Sequence, residues 1–183
     1  LVEVATFRAP PKKAVTSAQG MILRDNNWGT IEQDFVRRDF SINAMYYQPR
    51  KGIVLDFCNA ADDIKHKTLR LLGDPQTRFE EDPVRMLRTL RFAAKLNFSI
   101  APEILDIFNP EAAYLLRDVS PHRLYDESQK LFTMGHLNRV MPMLIEFGIW
   151  QQLFADIAPK ITPFIERAAK NTDQRISIGK TIN

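Results

Sequence analysis

Glu80-Glu81-Asp82-Pro83-Val84-Arg85-Met86-Leu87-Arg88-Thr89-Leu90-Arg91-Phe92-Ala93-Ala94 is the stretch on which the reading of this chain turns. Pro83 suits a first helical position, where its missing N–H is not needed, and this makes Asp82 the expected N-cap. Arg85, Arg88 and Arg91 recur every third residue, so at about 100° per residue they form one slanting cationic stripe. Met86, Leu87, Leu90, Ala93 and Ala94 cover the other faces and are expected to pack inward. Only Glu81, toward Arg85, offers an acid at helical spacing, so the stripe reads as underpaired for a solvated face. Either an anion sits on it, phosphate above all, or it is a generic basic helix.

Downstream of this helix, hydrophobic spacing of three and four continues almost throughout. Helices are predicted near 82–96, 101–108, 121–134, 136–147 and 160–170, broken at Asn97, Asn109-Pro110, Gly135, Gly148 and Pro159. Pro142 conflicts with the fourth and marks its start or a kink. Upstream, strand and turn signals mix. Residues 2–7 alternate like a strand, and 10–20 read as a polar, proline-bearing loop. A short helix over 31–38 takes Thr30 as its cap. Apolar runs at 42–47 and 53–57 flank Gln48-Pro49-Arg50-Lys51-Gly52 as a hairpin with a five-residue loop. A helical turn over 61–67 and a last strand over 68–72 precede Gly73. Strands followed by helices predict an α+β fold, divided into 1–80 and an all-helical 81–183.

A second polar cluster, Arg37-Arg38-Asp39-Phe40-Ser41-Ile42-Asn43-Ala44, falls between a predicted helix and a predicted strand. Arginine suits triphosphate because its planar fork gives two parallel charge-assisted bonds to oxygens. Asp39 beside it suits orienting an arginine, binding a base or ribose, or reaching a metal. The simpler alternative is a solvated helix end, its cations favoured by the helix dipole and Asp39 capping the next turn.

Composition sets broad limits. The 183 residues are 45% hydrophobic and 26% charged, as in ordinary globular proteins. No apolar run approaches the roughly 20 residues of a membrane span, and no leader pattern is visible. Cys58 is the only cysteine, which excludes an internal disulfide and a cysteine-cluster zinc site and fits a reducing cytoplasm. His66, His122 and His136 lack metal-ligand spacing and read as surface or capping residues. The formal charge of +3 is compatible with nucleic acid, though distribution matters more than sum.

Both clusters resemble those of the class II template-independent nucleotidyltransferases, the family of bacterial poly(A) polymerases and tRNA CCA-adding enzymes. There an Arg-Arg-Asp-Phe-Thr-Ile-Asn-Ala element follows the catalytic sheet, and a Glu-Asp-x-x-Arg-x-x-Arg helix opens the neck. Here Ser41 replaces the threonine and keeps the hydroxyl. The resemblance extends over the whole chain, with further matches at 2–8, 20–25 and 69–82. It implies that the chain is the C-terminal remainder of a nucleotidyltransferase head sheet followed by a helical neck and body.

Roles follow from the resemblance, residue by residue. Arg38 contacts the triphosphate, with Asp39 beside it as an active-site carboxylate, within the element that also holds Asn43. Arg88 and Arg91 face the nucleotide. Asp82 and Arg85 match the pair that presents a protein template to the incoming base, in competition with the capping expected of Asp82. Glu3 matches a strand carboxylate near the family's metal site. The Gly-Gly-x-x-Arg-Asp element and the Asp-x-Asp pair, which in the family hold two Mg²⁺ ions, are not found, and they are expected upstream of Leu1. The expected partners are ATP, as substrate, and an RNA 3′ end. Tyr46-Tyr47, the lead-in from Leu71 to Phe79, and the Arg123 to Phe132 stretch resemble the poly(A) polymerase branch more than the CCA-adding one. A non-catalytic RNA-binding module and a helical interaction domain are the alternatives of other classes. The residues Leu137, Val140, Met143, Leu144, Phe147 and Trp150, which would serve a partner, are more simply read as core.

Overall fold

The computed structural model describes residues 4–9 and 27–179, so Glu3 and the loop expected over 10–20 lie outside the described residues. Helix α1 (Ile31–Val36) starts where Thr30 and Gln33 close a reciprocal capping box, each side chain accepting the other's backbone N–H. A 3-10 turn (Ser41–Asn43) leads into β1 (Met45–Gln48), which pairs antiparallel with β2 (Ile53–Asp56), Tyr46 facing Leu55. Gln48 belongs to the strand, so the hairpin loop is 49–52, one residue shorter than expected. Gly52 closes it at φ 65, a value open to glycine because it has no Cβ.

Residues 4–7 form no strand, contrary to the alternation of their sequence. They are tied down by single backbone bonds instead, the Gly29 N–H to the Phe7 carbonyl and the Ala9 N–H to the Asn27 carbonyl. The Asp56 carboxylate accepts the N–H groups of Cys58, Ala60 and Ala61 and so starts α2 (Ala60–Lys65). The strand expected over 68–72 is only β3 (Thr68–Leu69), because Leu71 turns aside to bridge Phe40. β3 pairs in parallel with β4 (Ser99–Ile100), a strand inside the half read as wholly helical. Two residues are too few to show a period.

Asp74 caps α3 (Pro75–Glu81) through the Thr77 N–H, a helix the sequence reading missed. α4 (Val84–Leu96), α5 (Pro102–Leu105), a 3-10 segment (Ala112–Asp118), α6 (Pro121–Thr133), α7 (Leu137–Glu146), α8 (Ile149–Phe154) and α9 (Ala158–Ser177) follow. α9 runs well past its expected end, and α8 was not anticipated. Pro142 lies inside α7 rather than at its start. The N-terminus of α7 is capped across the chain: Asp173 of α9 accepts the N–H groups of Leu137 and Asn138.

α4 is the hub, packed against α3, α6, α7, β3 and β4. Met86, Leu87, Leu90 and Ala94 are fully buried, each large side chain contributing about 1.5–3 kcal/mol of apolar burial. The core continues from Phe40, Leu69 and Phe79 on one side to Leu144 and Trp150 on the other. Val140, Leu144 and Trp150 are thus buried, as the core reading expected. The cluster crosses residues 80–81 without interruption. The architecture is α+β, and its sheets are small and its helices dominant.

Candidate functional site

The short extended link between α3 and α4 sets two helices end to end beside the turn that follows α1. Asp82 occupies that link with φ −151, and its main-chain carbonyl accepts the Arg85 N–H. The α-helix itself opens one residue later than expected, with Pro83 in the cap position and no side-chain cap from it. The Asp82 carboxylate nevertheless accepts the Val84 N–H at 3.3 Å, so part of the capping role survives. Both its oxygens also accept from Arg123 Nη2 of α6, at 2.9 and 2.8 Å.

Each arginine of the stripe on α4 has an acidic neighbour, although the buried Arg91 Nε makes no hydrogen bond among the described residues. Arg85 Nε donates to Asp39 Oδ1 at 2.8 Å, and Arg88 Nη1 donates to Asp39 Oδ2 at 2.7 Å. Arg85 Nη1 also reaches the Arg78 carbonyl at 2.7 Å and, more loosely, Glu81 at 3.4 Å. Burial works to raise the Asp39 carboxyl, but the Arg85 hydrogen bond and the Arg88 charge outweigh it and hold the group below the ordinary carboxylate range. Asp39 does not cap the 3-10 turn, whose N-terminal residue Phe40 makes no side-chain bond.

On the other side of the stripe stands Glu127 of α6, whose side chain is only 5% exposed. It faces Arg88 Nε at 3.5 Å, Arg91 Nη2 at 3.3 Å and Lys130 Nζ at 2.8 Å. Burial raises its carboxyl, and the Lys130 bond with the Arg91 and Arg88 charges more than reverses this. The view of the stripe as underpaired is therefore corrected. Its acids arrive from residues far away in sequence, which helical spacing alone does not count.

Arg38 points elsewhere. Its Nε and Nη2 both donate to Asp34 Oδ2, at 3.1 and 2.9 Å, and its Nη1 donates to the Asn43 carbonyl at 2.8 Å. The Tyr46 hydroxyl donates to the same Asp34 oxygen at 2.8 Å. Asp34 Oδ1 accepts from Arg37 Nε and the Arg8 N–H, both at 3.2 Å. Burial works upward here too, and the bonds from Tyr46, Arg8, Arg38 and Arg37 bring Asp34 down to about 2. Arg78 joins the two clusters: its Nη2 donates to the Arg38 carbonyl at 2.8 Å and its Nη1 to Glu81 at 2.9 Å.

The structure thus brings Asp39, Arg85 and Arg88 together, sets Arg91 beside them through Glu127, and places Asp82 at the foot of the same helix. Arg38 and the Asn43 main chain form a neighbouring cluster, and Glu3 lies outside the described residues. Asp34, Arg78, Arg123 and Glu127 received no role from the sequence. Asp34 was within reach, since it stands three and four residues before Arg37 and Arg38. For the Mg²⁺ ions that the resemblance implies, the described residues do not fit. No three His, Cys, Asp or Glu side chains converge among them, and each Asp39 oxygen already accepts from a guanidinium.

Residues 1–70 match the family model described as the poly A polymerase head domain, and 97–162 match that of a probable RNA- and SrmB-binding site of polymerase A. Over its whole length the chain is 43% identical to poly(A) polymerase I of Haemophilus influenzae, of which it spans 43%. With poly(A) polymerase I of Salmonella typhi it shares 41% identity, again over its whole length and 42% of that protein. Its match to the CCA-adding enzyme of Levilactobacillus brevis is 40% identical but covers 69% of this chain and 32% of that enzyme. In fold it is similar to the CCA-adding enzyme of Bacillus stearothermophilus solved with CTP, at TM-score 0.66 and 28% identity, over 90% of this chain and 38% of the other. The chain belongs to the nucleotidyltransferase family of poly(A) polymerases and CCA-adding enzymes. It spans less than half the length of the relatives it matches. Among the described residues, no helix is long and apolar enough to cross a membrane.

Proposed function

We propose that the protein containing this segment is a poly(A) polymerase, adding AMP from ATP to RNA 3′ ends without a template, and that this segment supplies nucleotide and RNA contacts. One observation carries the reading. At the junction of α3, α4 and α6, Arg78, Arg85, Arg88, Arg91, Arg123 and Lys130 pair, among the described residues, with Asp39, Glu81, Asp82 and Glu127. Cations exceed acids there, from the largely buried Arg85 and Arg91 out to the more exposed Arg123 and Lys130, which suits a polyanionic ligand. The whole-chain likeness to poly(A) polymerases, against a partial one to a CCA-adding enzyme, favours AMP as the unit transferred.

In this reading Asp39 holds Arg85 and Arg88 in place before the ligand arrives, so that little reorganisation is needed on binding. Asp82 and Arg85 read the base edge, and Arg88, Arg91 and Arg38 take phosphate. The metal-binding carboxylates belong outside the described residues, and no step is assigned to a metal here. The test is primer extension on oligo(A) with ATP or CTP and Mg²⁺, using both the 183-residue chain and a longer enzyme that contains it. The longer enzyme should extend with ATP, and the segment alone should not. Sustained extension by the segment, or a longer enzyme that adds CMP as readily as AMP, overturns the assignment.

A further inference from the structure

We propose that Asp34 and Tyr46 are a positioning pair that presents the guanidinium of Arg38 to a polyphosphate oxyanion, an assignment that rests on the nucleotide reading above. The acid is inside and the cation outside: the Asp34 side chain is 6% exposed, that of Arg38 39%. Asp34 Oδ2 takes the Nε and Nη2 edge of the guanidinium, and the Asn43 carbonyl takes one Nη1 hydrogen. One N–H on each Nη nitrogen then has no partner among the described residues. Those two are what the exposed guanidinium keeps for an outside acceptor such as a phosphate oxygen.

Tyr46 completes the clamp in three ways. Its hydroxyl donates to the oxygen that Arg38 uses and accepts from Arg38 Nε at 3.1 Å, and its ring lies 5.0 Å from the Arg38 guanidinium carbon. Burial and the bond to Asp34 push the Tyr46 phenol up, so it stays a donor at physiological pH. Asp34 also meets Arg37, so one buried carboxylate orients two guanidiniums. The register of the hairpin brings Tyr46 to this point, and the capping box of α1 brings Asp34. Neither residue is aimed at the ligand itself, so each acts through Arg38.

The sign of one substitution separates this from simple charge accounting. Asp34→Asn removes a negative charge near the anion, which on charge alone tightens binding. Loss of positioning weakens it. The experiment titrates inorganic tripolyphosphate, and separately ATP, into the 183-residue chain by calorimetry. Arg38→Ala should weaken tripolyphosphate binding by roughly 10-fold, the scale of one charge-assisted contact. Asp34→Asn should weaken it by about 5- to 10-fold, and Tyr46→Phe by about 2- to 3-fold. In the Arg38→Ala background, Asp34→Asn should add nothing, because the two act as one unit. Unchanged or tighter binding by Asp34→Asn, or a loss that adds in full to that of Arg38→Ala, overturns the proposal. Should Asp34→Asn not fold, the Tyr46→Phe and Tyr46→Phe/Arg38→Ala pair decides by the same criteria. If the wild-type chain binds neither tripolyphosphate nor ATP, the nucleotide reading itself fails and this proposal with it.

Discussion

Arg38 and Arg88 carry the same group toward the same expected ligand, yet the chain holds them in different ways. Arg38, just past the end of α1, rests on Asp34 four residues earlier and stays well exposed. Arg88 is 27% exposed and sits between Asp39, 49 residues away, and Glu127 of another helix. The first arrangement is local and separable from the fold. The second is a girder: it ties the turn after α1 to α4 and α4 to α6. Function and stability should therefore part company at Arg38 and travel together around Arg88.

The largest expected effect falls on the girder's far end. Glu127→Ala leaves Arg91 without an acid among the described residues, while Arg88 keeps Asp39. Removing one partner of a buried pair is strongly destabilising, and about 3 kcal/mol is expected, read as a lowered urea midpoint. The pH dependence has a definite sign. Glu127, Asp39 and Asp34 all titrate below their ordinary values when folded, so each contributes stability above its unfolded pKa that disappears as pH falls through the folded one. Wild-type stability should therefore fall below about pH 4.5. The decline should continue toward pH 2 on account of Asp34. Glu127→Gln should make that decline shallower. A midpoint untouched by Glu127→Ala would reduce the girder to a surface ion pair.

Next come the two arginines themselves. In a longer enzyme containing the segment, Arg38→Ala and Arg88→Ala should each lower kcat/KM by roughly 10- to 1000-fold, about 1.5–4 kcal/mol for a charge-assisted contact strengthened in the transition state. Arg88→Ala should also lower the urea midpoint, and by more than Arg38→Ala, which leaves the buried Asp34 its bonds from Tyr46, Arg37 and the Arg8 N–H. That fall is expected to be modest, because Asp39 keeps Arg85 while Glu127 keeps Arg91 and Lys130. Equal midpoints for the two variants would erase the contrast, and normal kinetics in both would make the arginines a solvated face.

The same contrast marks what could be read before the structure. Thr30 and Gln33 are three residues apart, and their capping box was half visible in Thr30 alone. Asp34 with Arg37 and Arg38 is equally local, an acid three and four residues before two arginines. α4 was readable because its apolar residues recur with helical period. The parallel pairing of Leu69 with Ile100, and the reach of Asp39 to Arg85 and Arg88, depend on where α3, α4 and α6 finally pack. No local pattern encodes that. The six-residue α8 was hidden for another reason: Gly148 read as a break, whereas it turns at φ 72 against Pro110 and starts the next helix at once.

The smallest expected effect is also the sharpest test of how the helix that carries Arg88 serves two purposes. Asp82 accepts the Val84 N–H and holds Arg123, so it has structural work whatever the ligand. A carboxylate has about four lone-pair sites, and these contacts leave room for one more donor, such as a base amino group. Asp82→Ala should therefore cost about 0.5–2 kcal/mol of stability, the range of a lost cap. Arg85 is different, because its bonds to Asp39 and the Arg78 carbonyl tie it to the head side of the junction. If the pair reads the base, Arg85→Ala should change the ratio of kcat/KM for ATP and CTP, by up to the 1–3 kcal/mol or so that a good bidentate contact gives. It should do so even though Arg88 still holds Asp39. A stability change without any shift in the nucleotide ratio, in both variants, would confine Asp82 and Arg85 to the frame. The burden of base choice would then pass to groups outside the α3–α4 junction.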